Sequence, residues 1–227
     1  MRAILLAAGM GSRLRPLTLT TPKSLTVVNE KPLAERQIEF LKEKGIDEII
    51  IVTGYLNEKF EYLKEKYGVK LVYNPKYNVY NNIYTMYLVK EYLEDTYVID
   101  ADVYISNNFI LSNPKQSTYF STYKKDFENE WEITFNENRQ VTEVNVKSGD
   151  GYILSGVSYW SKRDGEIIVK KLEEKMNTND YGNLYWDDIV KENIKDLDLC
   201  INIIESADIY EIDSIEELEA VKRIVEK

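Results

Sequence analysis

In the first hundred residues, short apolar runs alternate with helix-compatible segments that stop at glycine, and this alternation narrows the possible folds sharply. Arg2 to Ala7 is an apolar run ending in small residues and opening into a glycine-bearing loop, the pattern of a buried strand. Leu33 to Lys44 begins behind Pro32, carries Leu33, Ile38 and Leu41, and stops at Gly45, which reads as a helix. A second buried strand is expected at Glu48 to Thr53, EIIIVT, then a helix from about Leu56 to Tyr67 closed by Gly68, and a third strand at Val69 to Tyr73. A helix at Tyr84 to Leu93 and a strand at Tyr97 to Ile99 lead into the acidic tripeptide Asp100-Ala101-Asp102. The order predicts an α/β chain with a parallel sheet covered by helices on both faces.

From about residue 117 the pattern changes. STYFSTY, EWEITF, QVTEVNV and GYILSGVSYW are short, partly alternating runs separated by polar or glycine-containing turns, and they predict a small antiparallel annex over about 117–160. Helices follow at Asp164 to Met176 and Tyr185 to Lys195, then a strand near Leu199 to Ile204. The last helix is opened by Ser214 with Glu217 three residues on, the spacing of a capping box. With 227 residues the chain fits one core, and a single domain over 1–227 is expected.

Charge narrows the possible partners. Lysine and arginine number 29 against 39 acids, a net charge of −10, which argues against nucleic acid, whose phosphates need a basic surface. The lone Cys200 cannot form an internal disulfide, no apolar run is long enough for a membrane span, and the amino-terminal segment lacks a cleaved-signal shape; these features predict a cytoplasmic protein that does not engage a membrane. Histidine is absent, so catalysis must use carboxylates, a metal, lysine or arginine, or the backbone. Residues 1–29 hold Arg2, Arg13, Arg15 and Lys23 but no acid, a locally cationic end suited to an anion.

That end contains the loop Ala8-Gly9-Met10-Gly11-Ser12-Arg13-Leu14-Arg15-Pro16. It is not a dinucleotide fingerprint, because Leu14 stands at the third glycine position and no acid ends a second strand about twenty residues on. It is not a P-loop either, since Gly-Lys-Ser/Thr is missing. What remains is a glycine backbone with two fixed cations, Arg13 and Lys23, suited to a triphosphate.

The stretch LAAGMGSRLRPLTLTTPK closely resembles the GxGxRxxPxTxxxPK signature of the nucleotidyltransferases that make NDP-sugars and CDP-alcohols, and every fixed position is met, by Gly9, Gly11, Arg13, Pro16, Thr18, Pro22 and Lys23. Resemblance continues through VTGY (52–55), YNNIYTMYL (80–88), VIDADVY (98–104), ILSGVSYW (153–160), LYWDDIVKENI (184–194) and IYEIDS (209–214), and is similar throughout to the bacterial CTP:phosphocholine cytidylyltransferases. One departure is Thr85, where near relatives carry Ser. The resemblance implies a Rossmann-like nucleotidyltransferase fold with a mixed, mostly parallel sheet. It also implies direct attack of a substrate phosphate on the α-phosphorus of CTP, with Mg²⁺ as cofactor and phosphocholine as acceptor.

Carried over residue by residue, the resemblance makes Asp102 and Asp213 the metal ligands and gives Lys23 the substrate phosphate and α-phosphate and Arg13 the leaving pyrophosphate, with Asp102 also counted as catalytic. Leu6, Ala7, Ala8, Gly9, Gly11, Ser12, Asn82 and Asp100 would hold or support the nucleotide. A quaternary ammonium donates no N–H bond and is recognised by aromatic faces with acids. Aromatics are 12% of the chain and gather where a pocket is expected, at Tyr119, Trp131, Tyr159, Trp160, Tyr185 and Trp186 with Glu130, Asp187 and Asp188 alongside; from this region and the second acidic segment Trp131, Tyr185 and Tyr159, with Asp187 and Glu211, are nominated for the acceptor. Phosphoethanolamine, 2-aminoethylphosphonate and a sugar 1-phosphate remain alternative acceptors within the same chemistry. A non-catalytic nucleotide- or choline-binding module is the alternative of another class, disfavoured because Lys23, Asp102 and Asp213 are all present; a nicotinamide-dependent oxidoreductase is disfavoured by Leu14 and the missing ribose-binding acid.

Overall fold

A computed structural model describes residues 1–178 and 180–226. In chain order the strands and α-helices are β1 (Arg2–Ala7), β2 (Val27–Val28), β3 (Lys31–Pro32), α1 (Leu33–Glu43), β4 (Glu48–Thr53), α2 (Tyr62–Tyr67), β5 (Lys70–Tyr73), α3 (Asn82–Leu88), β6 (Thr96–Asp100) and β7 (Val103–Ile105), followed by β8 (Ser117–Phe135), β9 (Val141–Trp160), α4 (Lys162–Met176), α5 (Trp186–Glu192), β10 (Leu199–Ile203), β11 (Ile209–Glu211) and α6 (Ile215–Val225). A seven-stranded sheet has the order β10-β8-β9-β6-β1-β4-β5. It is mostly parallel, as expected: β1 pairs in parallel with β4 and β6, β4 with β5, and β10 with β8, while β9 runs antiparallel to both neighbours.

The apolar runs are buried on both faces because period-two alternation gives each face its own set of side chains. Ala3, Leu5, Ile49, Ile51, Tyr97 and Ile99 meet α1 and α2 through Ile38, Leu41 and Leu63. Ile4, Ile50, Val52 and Val98 meet α3, α4 and α5 through Ile83, Met86, Ile168, Leu172 and Ile189. A third cluster seats Leu218 and Val221 of α6 on Leu14 and Leu33.

The carboxy-terminal region differs from the sequence expectation in one respect. The short runs after residue 117 join into two strands of 19 and 20 residues, closed as a hairpin by the Asn136 N–H to Gln140 carbonyl bond. Polar residues such as Lys124 and Glu128 interrupt the apolar alternation without ending the strands, because register breaks between Tyr119 and Ser121 and from Lys124 to Glu130 absorb them as bulges. One end of the hairpin completes the main sheet through β6, and the bulged part lines the cleft described next. The expected helix at 56–67 likewise resolves into a 3₁₀ turn, Asn57–Phe60, and α2, with Gly68 closing it in the left-handed conformation.

Candidate active site

A cleft of about 1000 Å³ opens where β1 and β6 end. This is the carboxyl edge of the parallel strands, where open α/β sheets bind ligands. The loop leaving β1 is packed closely on its neighbours. Gly11 has φ +58, and a Cβ there would lie 2.9 Å from the Lys23 Cβ; its carbonyl accepts from the Thr18 hydroxyl at 2.8 Å. Gly54 lets the next loop approach: a Cβ would lie 2.5 Å from the Ala8 carbonyl, which instead accepts the Tyr55 N–H at 3.2 Å. Leu6, Ala7, Gly9, Gly11, Ser12 and Arg13 line the cleft, whereas Ala8 commits its carbonyl to this packing.

The acidic tripeptide is held in place by backbone contacts. Leu6 O accepts the Ala101 N–H at 3.1 Å, and buried Gln37 donates from Nε2 to the carbonyls of Asp100 (3.1 Å) and Val103 (2.8 Å). The second acidic segment arrives by strand pairing, Glu211 opposite Val103 in β11·β7. Glu217, the partner of Ser214 in the capping box, also accepts the Asp213 N–H at 2.7 Å, so the helix cap fixes the aspartate beside it.

Lys23 meets both acids. Its Nζ donates to Asp102 Oδ2 at 2.7 Å and to Asp213 Oδ1, and Arg13 reaches Asp213 Oδ2 at 2.7 Å. Burial alone would lower the Lys23 pKa, but the two carboxylates outweigh it and the ammonium ends above its ordinary value. Burial alone would raise the Asp213 carboxyl, but Lys23 and Arg13 bring it below the ordinary range. Asp100, facing the cleft floor, is pushed well above the carboxylate range by burial and then by Asp102, Asp187 and Glu211. The Glu211 carboxyl faces the cleft and is pushed up to about 8, by desolvation first and then by Asp102, Asp213 and Glu130. No group of three or more metal-ligating side chains occurs among the described residues. Asp102 and Asp213 nonetheless converge on one positive charge, and Mg²⁺ commonly takes only one or two carboxylates along with phosphate oxygens and water, so the donor set fits that ion.

On the other side of the chemistry, Trp131 and Tyr185 stand edge to face, centroids 6.1 Å apart at 82°, and the Tyr185 ring remains 46% exposed. Asp187 lines the same cleft and accepts the Tyr119 hydroxyl at 2.9 Å; burial pushes its carboxyl up to about 7. Asn82 uses its Oδ1 to accept the Trp186 N–H at 2.9 Å, so it anchors the start of α5 as well as lining the cleft.

The sequence expectation for Tyr159 is corrected. In β9 side chains alternate, so Ser158 lines the cleft while Tyr159 points to the opposite face, packs 5.2 Å from Tyr97 and bonds Asp95. Gln37 behind the acidic turn escapes sequence reasoning, and Tyr119, one of the aromatics expected around the pocket, contributes through a hydroxyl bond to Asp187 that the sequence does not announce. Nothing in their spacing separates them from ordinary core residues, because both contacts join distant elements.

Comparison with known proteins bears on this geometry directly. The profile of the family described as Nucleotidyl transferase matches residues 2–200. Choline-phosphate cytidylyltransferase from Streptococcus pneumoniae is 51% identical over 225 residues, 99% of this chain and 98% of that protein. The protein of the same name from Haemophilus influenzae is 42% identical over 219 residues, 96% of this chain and 94% of its own. The solved structure of the CTP:phosphocholine cytidylyltransferase from Streptococcus pneumoniae superposes with a TM-score of 0.96 at 52% identity, covering 98% of both chains. A cleft built on this loop and these acidic turns, in a chain matched along nearly its whole length, leads to one conclusion: the chain belongs to the nucleotidyl transferase family.

Proposed function

We propose that the enzyme transfers CMP from CTP to phosphocholine, giving CDP-choline and pyrophosphate. One observation carries this reading: a single cleft joins the Lys23–Asp102–Asp213 charge cluster to a pocket of Trp131, Tyr185 and Asp187. The first suits phosphates; the second suits a quaternary ammonium, which needs aromatic faces and a nearby negative charge. The names of the relatives support the choice of nucleotide and acceptor. The same reading takes 1–227 as a single catalytic domain, with the hairpin of β8 and β9 lending the acceptor pocket its outer wall; a cleft lined from both halves of the chain supports it.

The chemistry is a direct displacement. A phosphate oxygen of the acceptor attacks the α-phosphorus of CTP, its new P–O bond forms as the bond to the β-phosphate breaks, and pyrophosphate leaves. A phosphate monoester has a second pKa of about 6, so the attacking oxygen is ionised near neutral pH and no protein base is needed. That agrees with a chain lacking histidine. Lys23 holds the two reacting anions against their mutual repulsion and stabilises the charge of the pentavalent transition state. Arg13, 72% exposed at the cleft mouth, is placed for the departing pyrophosphate. The glycine backbone from Leu6 to Gly11 orients the nucleotide, with Ser12, Asn82 and Asp100 beside it. Asp102 and Asp213 would hold Mg²⁺, which would supply further charge neutralisation on the phosphates.

No helix among the described residues is long and apolar enough to cross a membrane. A cytoplasmic site of action fits the unpaired Cys200 and the use of CTP. The reading is tested by pyrophosphate release across the four nucleoside triphosphates with phosphocholine, phosphoethanolamine, 2-aminoethylphosphonate and glucose 1-phosphate, with and without Mg²⁺. CTP with phosphocholine and Mg²⁺ is expected to give the highest kcat/KM. Preference for another pair would replace the substrate assignment, and full rates in EDTA would remove the metal.

A further inference from the structure

From the packing around α5 we infer that Tyr119 is the positioning residue for acceptor recognition: its hydroxyl aims the Asp187 carboxylate at the ammonium end of the acceptor. The inference rests on the acceptor pocket described above. Tyr119 lies on β8, 2% exposed, and its hydroxyl meets Asp187 Oδ1 at 2.9 Å. Burial and the adjoining Asp187 raise the phenol well above its ordinary pKa, so it stays protonated and donates. One carboxylate oxygen is thereby fixed and the other is left to face a ligand.

The ring holding that hydroxyl is itself fixed. Tyr119 packs edge-on against Trp160, centroids 5.4 Å apart at 88°, and Trp160 packs edge-on against Trp186 at 5.6 Å and 85°. Trp160 Nε1 donates to Ser158 Oγ at 2.9 Å, and Ser158 is the β9 partner of Tyr119. These three rings tie the sheet to the first residue of α5, one position before Asp187 and one after the exposed Tyr185. The hydroxyl therefore makes the one polar contact between this aromatic stack and the acid of the pocket. Removing it leaves the stack intact and frees the carboxylate to rotate. The groups facing Asp187 are Tyr119 from β8, Asp100 from the end of β6 and Asp188 from its own helix. Burial and then Asp188 favour protonation of Asp187, while the Tyr119 bond and, less, a backbone hydrogen bond at Asp187 itself oppose it, so loss of the hydroxyl also shifts the pH at which the acid becomes charged.

The test compares Tyr119→Phe, Asp187→Asn and the double variant, measuring KM for phosphocholine, KM for CTP and kcat from pH 6 to 9. Tyr119→Phe is expected to raise the phosphocholine KM about tenfold at pH 7, in the range of one hydrogen bond to a charged group, with KM for CTP and kcat changed less than about twofold. Its acceptor kcat/KM profile is expected to move to higher pH, and the substitution is expected to have little further effect in the Asp187→Asn background. An unchanged acceptor KM in Tyr119→Phe beside a raised one in Asp187→Asn overturns the role of Tyr119 alone. An unchanged acceptor KM in Asp187→Asn overturns the pocket assignment beneath it. Equal losses for both substrates, or a full Tyr119→Phe effect without the Asp187 carboxylate, would make Tyr119 a packing residue only.

Discussion

Lys23 and Asp102 are 79 positions apart in sequence and 2.7 Å apart in space, and the same ammonium also bonds Asp213, so one side chain joins the two acidic segments in the cleft. A lysine that is 11% exposed and shared by two carboxylates acts as their internal cation. The proposed nucleotide and metal would therefore engage groups that already neutralise one another.

Replacing Lys23 by alanine should lower turnover by about 10²- to 10³-fold, the cost found when one preorganised transition-state donor is removed. It should also leave Asp102 and Asp213 facing each other without their shared cation. The variant is therefore expected to melt at lower temperature in EDTA and to regain more of that loss on adding Mg²⁺ than the parent enzyme does. Calorimetry with and without the ion checks this; equal metal responses would separate Lys23 from the two aspartates.

Asp102→Asn and Asp213→Asn each remove one carboxylate charge while keeping the side-chain shape. Pyrophosphate release should fall by about two orders of magnitude or more in each, with far-ultraviolet circular dichroism unchanged. Near-normal release from either variant would take that residue out of the reaction.

Trp131→Ala should raise the phosphocholine KM about tenfold, since a desolvated cation–π contact contributes up to about 2 kcal/mol, and should leave the CTP KM near its starting value. Initial rates with each substrate varied in turn provide the check. A parallel rise in both constants would mean that the tryptophan supports the cleft as a whole.

Asp187 should give opposite pH trends in binding and stability. Its carboxyl, pushed up to about 7 by burial, keeps its proton in the folded state at pH values where the unfolded chain, with a carboxyl pKa of about 3.9, has lost it. A raised acid pKa means that this contribution to stability is largest at low pH, falls as pH rises from about 4 to 7, and levels off above. Acceptor affinity should rise over the upper part of that window as the charged form appears. Urea melts and acceptor kcat/KM measured from pH 5 to 9 should both lose this component in Asp187→Asn.

Gly11→Ala should weaken CTP binding. At φ +58 a side chain is strained by about 1 to 2 kcal/mol, and the added Cβ would lie 2.9 Å from the Cβ of Lys23. A CTP KM equal to that of the parent would show that the loop yields without moving the lysine.

The sequence alone determined the alternation of strands and helices, the cationic glycine loop, the two acidic segments and the cap at Ser214, because each depends on residues a few positions apart. Apolar runs such as Ile49 to Val52 announce a strand wherever they end up, and Ser214 with Glu217 satisfies a helix end locally. Tertiary structure decided which side chains share a site. Pairing of β11 with β7 set Asp213 beside Asp102, bulges merged the short runs of the antiparallel annex into two long strands, and alternation along β9 turned Tyr159 away while Ser158 kept the cleft. Contacts such as Lys23 to Asp213 and Tyr119 to Asp187 span 190 and 68 positions. Their geometry is fixed by strand register and helix packing, which no local run of residues encodes.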